Sequence, residues 1–263
     1  MRIFNRKIHK SVAQESSVEV TEVENMRNLH LGSDTIQSSM LVKDPFALAL
    51  NYSRGIMCFI LFSSHIKSVL TIGLGGGSVT KYIYKYCPDL LQTVVEINAQ
   101  VIAIAKSHFY VPENDERLNL IEGDGVQYLL DHRASHDCVI IDGFDSHGIP
   151  DNFCTQDFFD GCQEALNYNG IFVINLWGSD KNFDLYMRRI EQSFADRVLM
   201  MPTGKPGNII VFGFKSALKM SEKKLRDRAK QLEKNHKIEF LEFLDKLQVH
   251  NSYDALHHAL ESK

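Results

Sequence analysis

Several features that would mark a special class of protein are missing from this chain. No C-x-x-C pair occurs among its five cysteines, Cys58, Cys87, Cys138, Cys154 and Cys162. A zinc site needs closely spaced ligands, so no metal site is expected. Four of the five stand among apolar or aromatic neighbours, the setting of small buried hydrophobes in a reducing compartment. Neither sign of charge is in large excess: 29 basic against 33 acidic residues leave −4. That balance gives no support to nucleic-acid binding through a strongly basic surface. Residues 1–14 are basic but lack an apolar core, so they do not read as a secretory signal. The most apolar run, 56–62, is far too short to span a bilayer, and Arg54 stops its extension backwards. Neither an internal repeat nor a low-complexity tract is found. A soluble cytoplasmic protein with no nucleic-acid or membrane partner is expected.

What is present suffices for a real core. The chain has 263 residues, 44% hydrophobic and 24% charged, which suits one large or two small globular domains. Residues 1 to about 25 carry no clear period and read as a frayed or strand-forming arm. A short hairpin is expected over 26–42, turning at Gly32-Ser33-Asp34, with Gln37 leaving it. Asp44-Pro45 predicts a helix start, since proline fits the first helical position and aspartate can cap. That helix would carry Phe46, Leu50, Met57 and Leu61 inward.

From residue 68 onward, short apolar runs alternate with helical patterns. Strands are predicted at 68–73, 93–97, 118–121, 137–142 and 170–175, and helices at 78–86, 99–108, 126–132, 155–166 and 183–194. Two more strands, 197–200 and 208–214, are joined by a turn-rich connector and fit an antiparallel edge hairpin. This alternation means βαβ units and a parallel sheet covered on both faces. Residues 216–263 hold ten Lys/Arg and eight Asp/Glu, with Leu225, Leu232, Phe240, Leu244 and Leu247 at helical intervals. They read as a helical tail. A solvated charged face is the simplest account of it, and its apolar stripe suits packing on the main domain or a second copy.

Chemistry-bearing residues sit at successive strand ends. Gly73-Leu74-Gly75-Gly76-Gly77-Ser78 follows the first predicted parallel strand and precedes a helix. Glycines let the backbone approach a ligand, and the helix start offers free N–H groups. Ser78 leaves the G-x-G-x-x-G dinucleotide pattern incomplete, and a tight turn without a ligand is the alternative. Glu96 ends the next strand about 20 residues beyond the loop, where a carboxylate can accept both ribose hydroxyls; an exposed strand-end acid is the plain alternative. Glu122-Gly123-Asp124-Gly125 follows the third strand. Asp124 can accept from an exocyclic amine such as adenine N6, or simply cap the next helix. Together these describe a nucleoside site at the strand ends of an open α/β sheet. No phosphate-gripping lysine follows the loop, so an S-adenosyl sulfonium compound fits better than NAD or ATP. Asp142-Gly143-Phe144-Asp145 follows the fourth strand and places two carboxylates on one loop. Such a pair can bind a cationic amine and take a proton from it, or one of them can cap a turn. His147 reads as loop surface. Trp177, the only tryptophan, walls the pocket or caps the core.

This order of motifs resembles the polyamine aminopropyltransferases, the spermidine and spermine synthase family, over about 29–214 and most strongly over 68–177. It is most similar to a bacterial spermidine-synthase-like subgroup. The resemblance implies a class I methyltransferase-like Rossmann fold: a mostly parallel sheet with an antiparallel edge hairpin, a short N-terminal β segment and a C-terminal helical tail. The domains expected are a β arm and hairpin over 1–43, a nucleoside-binding catalytic domain over 44–215 and the tail over 216–263. It implies that Asp142 is the catalytic acid–base residue and Asp145 the anchor for the substrate amine. Gln37, Gly73, Gly75, Glu96, Asp124 and Gly125 would bind the nucleoside. The co-substrate would be decarboxylated S-adenosylmethionine (or S-adenosylmethionine), with a diamine such as putrescine as acceptor, methylthioadenosine as product and no prosthetic group. A homodimer or higher homo-oligomer would be the working form.

Three departures stand out. Gly76 replaces an acid of the family loop that meets the aminopropyl ammonium. Ser146 replaces a proline. The family's Tyr-His-Glu segment is not recognisable after Gln37, and Tyr52 is the one candidate substitute. An S-adenosylmethionine-dependent methyltransferase and a non-catalytic nucleoside-binding homologue are the alternatives.

Overall fold

A computed structural model describes residues 6–13, 16–144, 148–204 and 207–260. The residues from β1 (Arg6–Ala13) through β2 (Ser16–Val23), β3 (Met26–Leu31) and β4 (Ile36–Leu41) form a four-stranded antiparallel sheet in chain order. The described residues of the arm form strands, and the sheet is larger than a lone hairpin. Gln37 lies within β4 instead of leaving it. The alternation of Val18 and Val20 with polar neighbours turns one face of this sheet into the core, where Leu29 and Met40 join them.

The predicted helix at Pro45 begins later. Asp44 N donates to Leu41 O and Asp44 O accepts from Ala47 N, so its backbone is used in turns that end β4. Helix α1 spans Asn51–Ile56 and a short α2 spans Phe59–Phe62, with Met57 and Leu61 fully buried as expected.

The second sheet has seven strands in the order β10-β11-β9-β8-β5-β6-β7. They are β5 (Ser68–Ile72), β6 (Leu91–Glu96), β7 (Leu118–Glu122), β8 (His136–Ile141), β9 (Leu166–Trp177), β10 (Val198–Pro202) and β11 (Asn208–Phe214). The five from β5 to β9 are mutually parallel. Strand β11 returns antiparallel beside β9, and β10 closes the edge as its hairpin partner. Helices α3 (Ser78–Tyr86), α4 (Ala99–Phe109), α5 (Gly125–Asp131), α6 (Gln156–Ala165) and α7 (Phe183–Ser193) link the strands.

Both faces of the sheet are covered, which explains its nearly continuous apolar strands. Ile140, Val173 and Phe212 belong to one core with α1, α2 and α3. Val139, Phe172 and Val211 belong to a second core with α6 and α7. A third core joins α4 to the N-terminal sheet. The tail forms α8 (Glu222–His236), α9 (Phe240–His250) and α10 (Tyr253–Leu260). Its apolar stripe is not left to solvent: Leu225, Phe240, Phe243, Leu244 and Leu247 are buried in the first core. Arg228 adds hydrogen bonds to Ile60 O and Ser63 O. Among the described residues, no helix is long and apolar enough to cross a membrane.

Candidate active site

Strand order positions the site. The chain runs from β5 outward through β6 and β7, then β8 crosses back to pair with the other side of β5. The carboxyl ends of β5 and β8 are therefore neighbours at the point where the order reverses, the usual ligand position in open α/β sheets. Gly73 follows β5 and Asp142 follows β8. A Cβ at position 73 would lie 2.6 Å from Asp142 O, and Gly73 has φ +94°. Only glycine meets both the close approach and the left-handed backbone there.

A cavity of about 740 Å³ opens above these strand ends and under the N-terminal sheet. Gln37, Gly73, Gly75, Glu96, Asp124, Gly125 and Asp142 all line it. Asp145, Ser146 and His147 lie outside the described residues. Its size suits a small-molecule ligand.

Glu96 is not an exposed strand-end acid; it is only 8% exposed. Its Oε2 accepts from Leu74 N at 2.9 Å and its Oε1 from Asn98 N at 2.9 Å. Burial raises its pKa above the ordinary value, and backbone N–H groups of Asn98, Leu74, Gly75 and Ile97 pull the other way. A carboxylate has about four acceptor positions, and the two hydrogen bonds from Leu74 N and Asn98 N leave capacity for a ligand. Asp124 is the N-cap of α5, with Oδ1 accepting from Val126 N at 2.8 Å and Gln127 N at 3.4 Å. Its capping and lining positions coexist, because the second oxygen is not used by these bonds. Gly125 permits α5 to sit on β5: a Cβ there would lie 2.3 Å from Ile72 Cγ2.

Asp142 is half-buried and lines the cavity. Burial pushes its carboxyl up to about 7, opposed by a hydrogen bond from Asn175 Nδ2 to Oδ1 at 3.0 Å. A carboxyl that titrates there can take or give a proton near neutrality. Tyr52, from α1, lines the same cavity and donates its hydroxyl to Gln37 O at 3.2 Å. Burial and then the Asp142 charge hold its phenol well above its ordinary pKa. Phe144 lines the cavity, and Trp177 stacks on it at 5.5 Å and 19°. Trp177 thus backs a wall residue and is not itself a lining residue.

At the glycine loop, Ser38 Oγ and Ser78 Oγ lie 3.3 Å apart and both residues line the cavity. A Cβ on Gly76 would come within 2.7 Å of Ser38 Oγ and 3.0 Å of Phe109 Cδ1. The departure at position 76 is therefore matched by its neighbours. Ser38 and Asn175 carried no signal used in the sequence reading. For Asn175 one existed: an amide inside the apolar run 171–177 has to find partners.

Known proteins share this architecture. The family model for the spermine/spermidine synthase domain matches residues 49–224. A polyamine aminopropyltransferase of Chromobacterium violaceum is 40% identical over 258 residues, covering 98% of this chain and 99% of that protein. A spermidine synthase solved with the transition-state analogue AdoDATO superposes with a TM-score of 0.76 at 20% identity, over 92% of this chain and 85% of that one. Human methyltransferase-like protein 13, solved with SAH, gives a TM-score of 0.66 at 19% identity, over 72% of this chain and 93% of that one. The two structural likenesses bear on the fold. The family match over most of the chain, together with identity running almost end to end, shows that this chain belongs to the spermine/spermidine synthase family.

Proposed function

We propose that the protein is an aminopropyltransferase. It moves the aminopropyl group of decarboxylated S-adenosylmethionine to a diamine such as putrescine and releases methylthioadenosine. The observation that carries this reading is Asp142: a carboxyl that lines the cavity at the end of β8, held by Asn175 and raised to about 7 by burial. Family membership and the name of the 40% identical relative support it.

A protonated amine has no lone pair, so a base must remove one proton before attack. Asp142 takes that proton and later passes it to solvent. The amine nitrogen then bonds to the aminopropyl carbon while the carbon–sulfur bond breaks. The electron pair of that bond passes to sulfur, turning the sulfonium into the neutral thioether of methylthioadenosine. The leaving group needs no further activation, so the enzyme's main task is alignment. Both reactive groups arrive with the substrates, and no prosthetic group takes part. In this reading Glu96 receives the ribose hydroxyls, Asp124 and Gly125 meet the adenine side, and Gly73 and Gly75 let the backbone approach the donor. Gln37 contacts the nucleoside, and Asp145 anchors the cationic acceptor chain. The working form is a homodimer or higher homo-oligomer, which sedimentation measures directly.

Product analysis by mass spectrometry tests the reading. The purified protein is incubated with decarboxylated S-adenosylmethionine and a panel of diamines and polyamines, with S-adenosylmethionine in parallel. Methylthioadenosine together with an acceptor heavier by one aminopropyl group is expected, at catalytic turnover. A folded protein that yields neither product overturns the proposal, and methylated acceptor from S-adenosylmethionine alone replaces it with methyl transfer.

A further inference from the structure

We infer that Asn175 is a positioning residue for Asp142: held in one amide orientation by Asn208, it reserves Oδ1 of the carboxyl and directs the substrate's proton to Oδ2. The inference rests on the reading of Asp142 as the base.

Three adjacent strands supply the three residues. Asn175 lies on β9, one residue beyond the Ile141–Ile174 pairing with β8. Asn208 begins β11, whose register places Ile210 opposite Asn175 and Asn208 opposite Trp177. Positions two apart on a strand share a face, so the two amides lie on one face of the sheet as diagonal neighbours. Asn175 is 2% exposed and Asn208 5%. A buried amide is costly unless both its ends are paired.

Asn175 meets that demand with opposite partners. Its Oδ1 accepts from Asn208 Nδ2 at 2.9 Å, and its Nδ2 donates to Asp142 Oδ1 at 3.0 Å. Turning the amide over would set its oxygen against the carboxylate and its N–H₂ against that of Asn208. The orientation is therefore locked by two bonds that would both be lost together. Asn208 is in turn anchored where the β10–β11 hairpin begins, its carbonyl accepting from Thr203 N at 2.9 Å and Thr203 Oγ1 at 3.0 Å.

An amide N–H can only donate, so the oxygen it faces must stay an acceptor in both protonation states of Asp142. The proton removed from an amine consequently ends on Oδ2. The same bond stabilises the ionised form and holds the pKa below the value that burial alone would set. Among the described residues, the other titratable groups lining the cavity are the Tyr52 phenol from α1, Glu96 at the end of β6 and Asp124 at the start of α5. None of these three hydrogen-bonds the Asp142 carboxyl as Asn175 does.

The test measures kcat/KM for aminopropyl transfer between pH 5.5 and 9.5 in the full chain, for the wild type, Asn175→Leu and Asn208→Leu. Methylthioadenosine affinity and thermal melts are recorded alongside. In Asn175→Leu the acid limb should move to higher pH, and kcat should fall about tenfold at pH 7, the size expected for losing a hydrogen bond to a charged group. Methylthioadenosine affinity should stay within about twofold. Asn208→Leu should move the limb in the same direction by less, because the donor remains but is no longer held. If Asn175→Leu fails to fold, Asn208→Leu decides: a folded variant with an unmoved acid limb overturns the inference, and a raised limb supports it. Asp142→Asn separates this from the underlying reading. If that variant keeps wild-type turnover, Asp142 is not the base. If it is inactive while the limb of folded Asn175→Leu stays put, only the positioning role fails.

Discussion

Glu96 Oε2 accepts the backbone N–H of Leu74 at 2.9 Å, so the acid that ends β6 holds the glycine loop that follows β5. Its other oxygen takes the N–H of Asn98 at the start of the next helix. One buried carboxylate therefore fixes two of the segments that border the cavity, in addition to any ligand contact.

This coupling separates two substitutions. Glu96→Ala leaves backbone donors unpaired in a buried place and should lower stability by roughly 1–3 kcal/mol. Glu96→Gln keeps one acceptor and should lose less. Methylthioadenosine affinity should fall in the same order, alanine more than glutamine. Calorimetric titration and thermal melts measure both, and equal affinity in all three proteins would show that the clamp does not shape the site.

The glycine loop is packed for glycine at position 76. Gly76→Asp should lower stability by about 1–3 kcal/mol, the usual size of an overpacking cost, since its Cβ meets Ser38 Oγ and Phe109. Removing the hydroxymethyl group in the double variant Ser38→Gly/Gly76→Asp should recover part of that loss. If Gly76→Asp melts with the wild type, Ser38 does not restrict this position.

Asp142 links activity to stability. Its folded pKa of about 7 lies above the ordinary unfolded value of about 3.9. The folded state thus binds a proton that the unfolded chain has released. Its contribution to stability is complete below pH 4, falls as pH rises through 7, and is lost above that. Asp142→Asn cannot ionise, so it should gain on the wild type in thermal melts between pH 5 and pH 8 while losing turnover. Wild-type kcat/KM should fall below about pH 7. A melting difference that does not change between those two pH values would contradict the assigned burial.

Lys81 gives the opposite sign. It is 1% exposed, and its Nζ donates to Phe109 O at 2.7 Å, where α4 ends. Burial, then the Arg27 charge, lowers its pKa to about 7. Between about 7 and 10.5 the unfolded chain holds a proton that the folded state lacks, so this group's contribution rises with pH and its cost is full below 7. Lys81→Met loses the hydrogen bond but also the charge penalty. It should match the wild type near pH 6 and be less stable by about 2–3 kcal/mol at pH 9, about 1.4 kcal/mol for each pH unit above 7. Chemical denaturation at the two pH values tests this, and a constant difference refutes it.

Much of this was legible along the chain. The order of strands and helices from Ser68 to Phe214 follows from short apolar runs broken by glycine and caps, and those signals are local. Glycine at 73 and acids at 96, 124 and 142 stand at strand ends in the sequence itself. The helix placed at Pro45 was wrong because Asp44 is drawn into the turns that end β4, a pairing no local signal reports.

What only the tertiary structure decided is which side chains meet. Ser38 reaches Gly76 because β4 of the N-terminal sheet lies over a loop 38 residues away. Tyr52 comes beside Asp142 because α1 packs on the sheet face that carries β9 and β11. Asn175 shows in the sequence only as an amide in need of partners; β8, β9 and β11 lying side by side decide that they are Asp142 and Asn208. The physical reason is range. Propensity, periodicity and capping act over a few neighbouring residues, whereas the orientation of a carboxyl and its pKa depend on groups brought together by strand order and by exclusion of water.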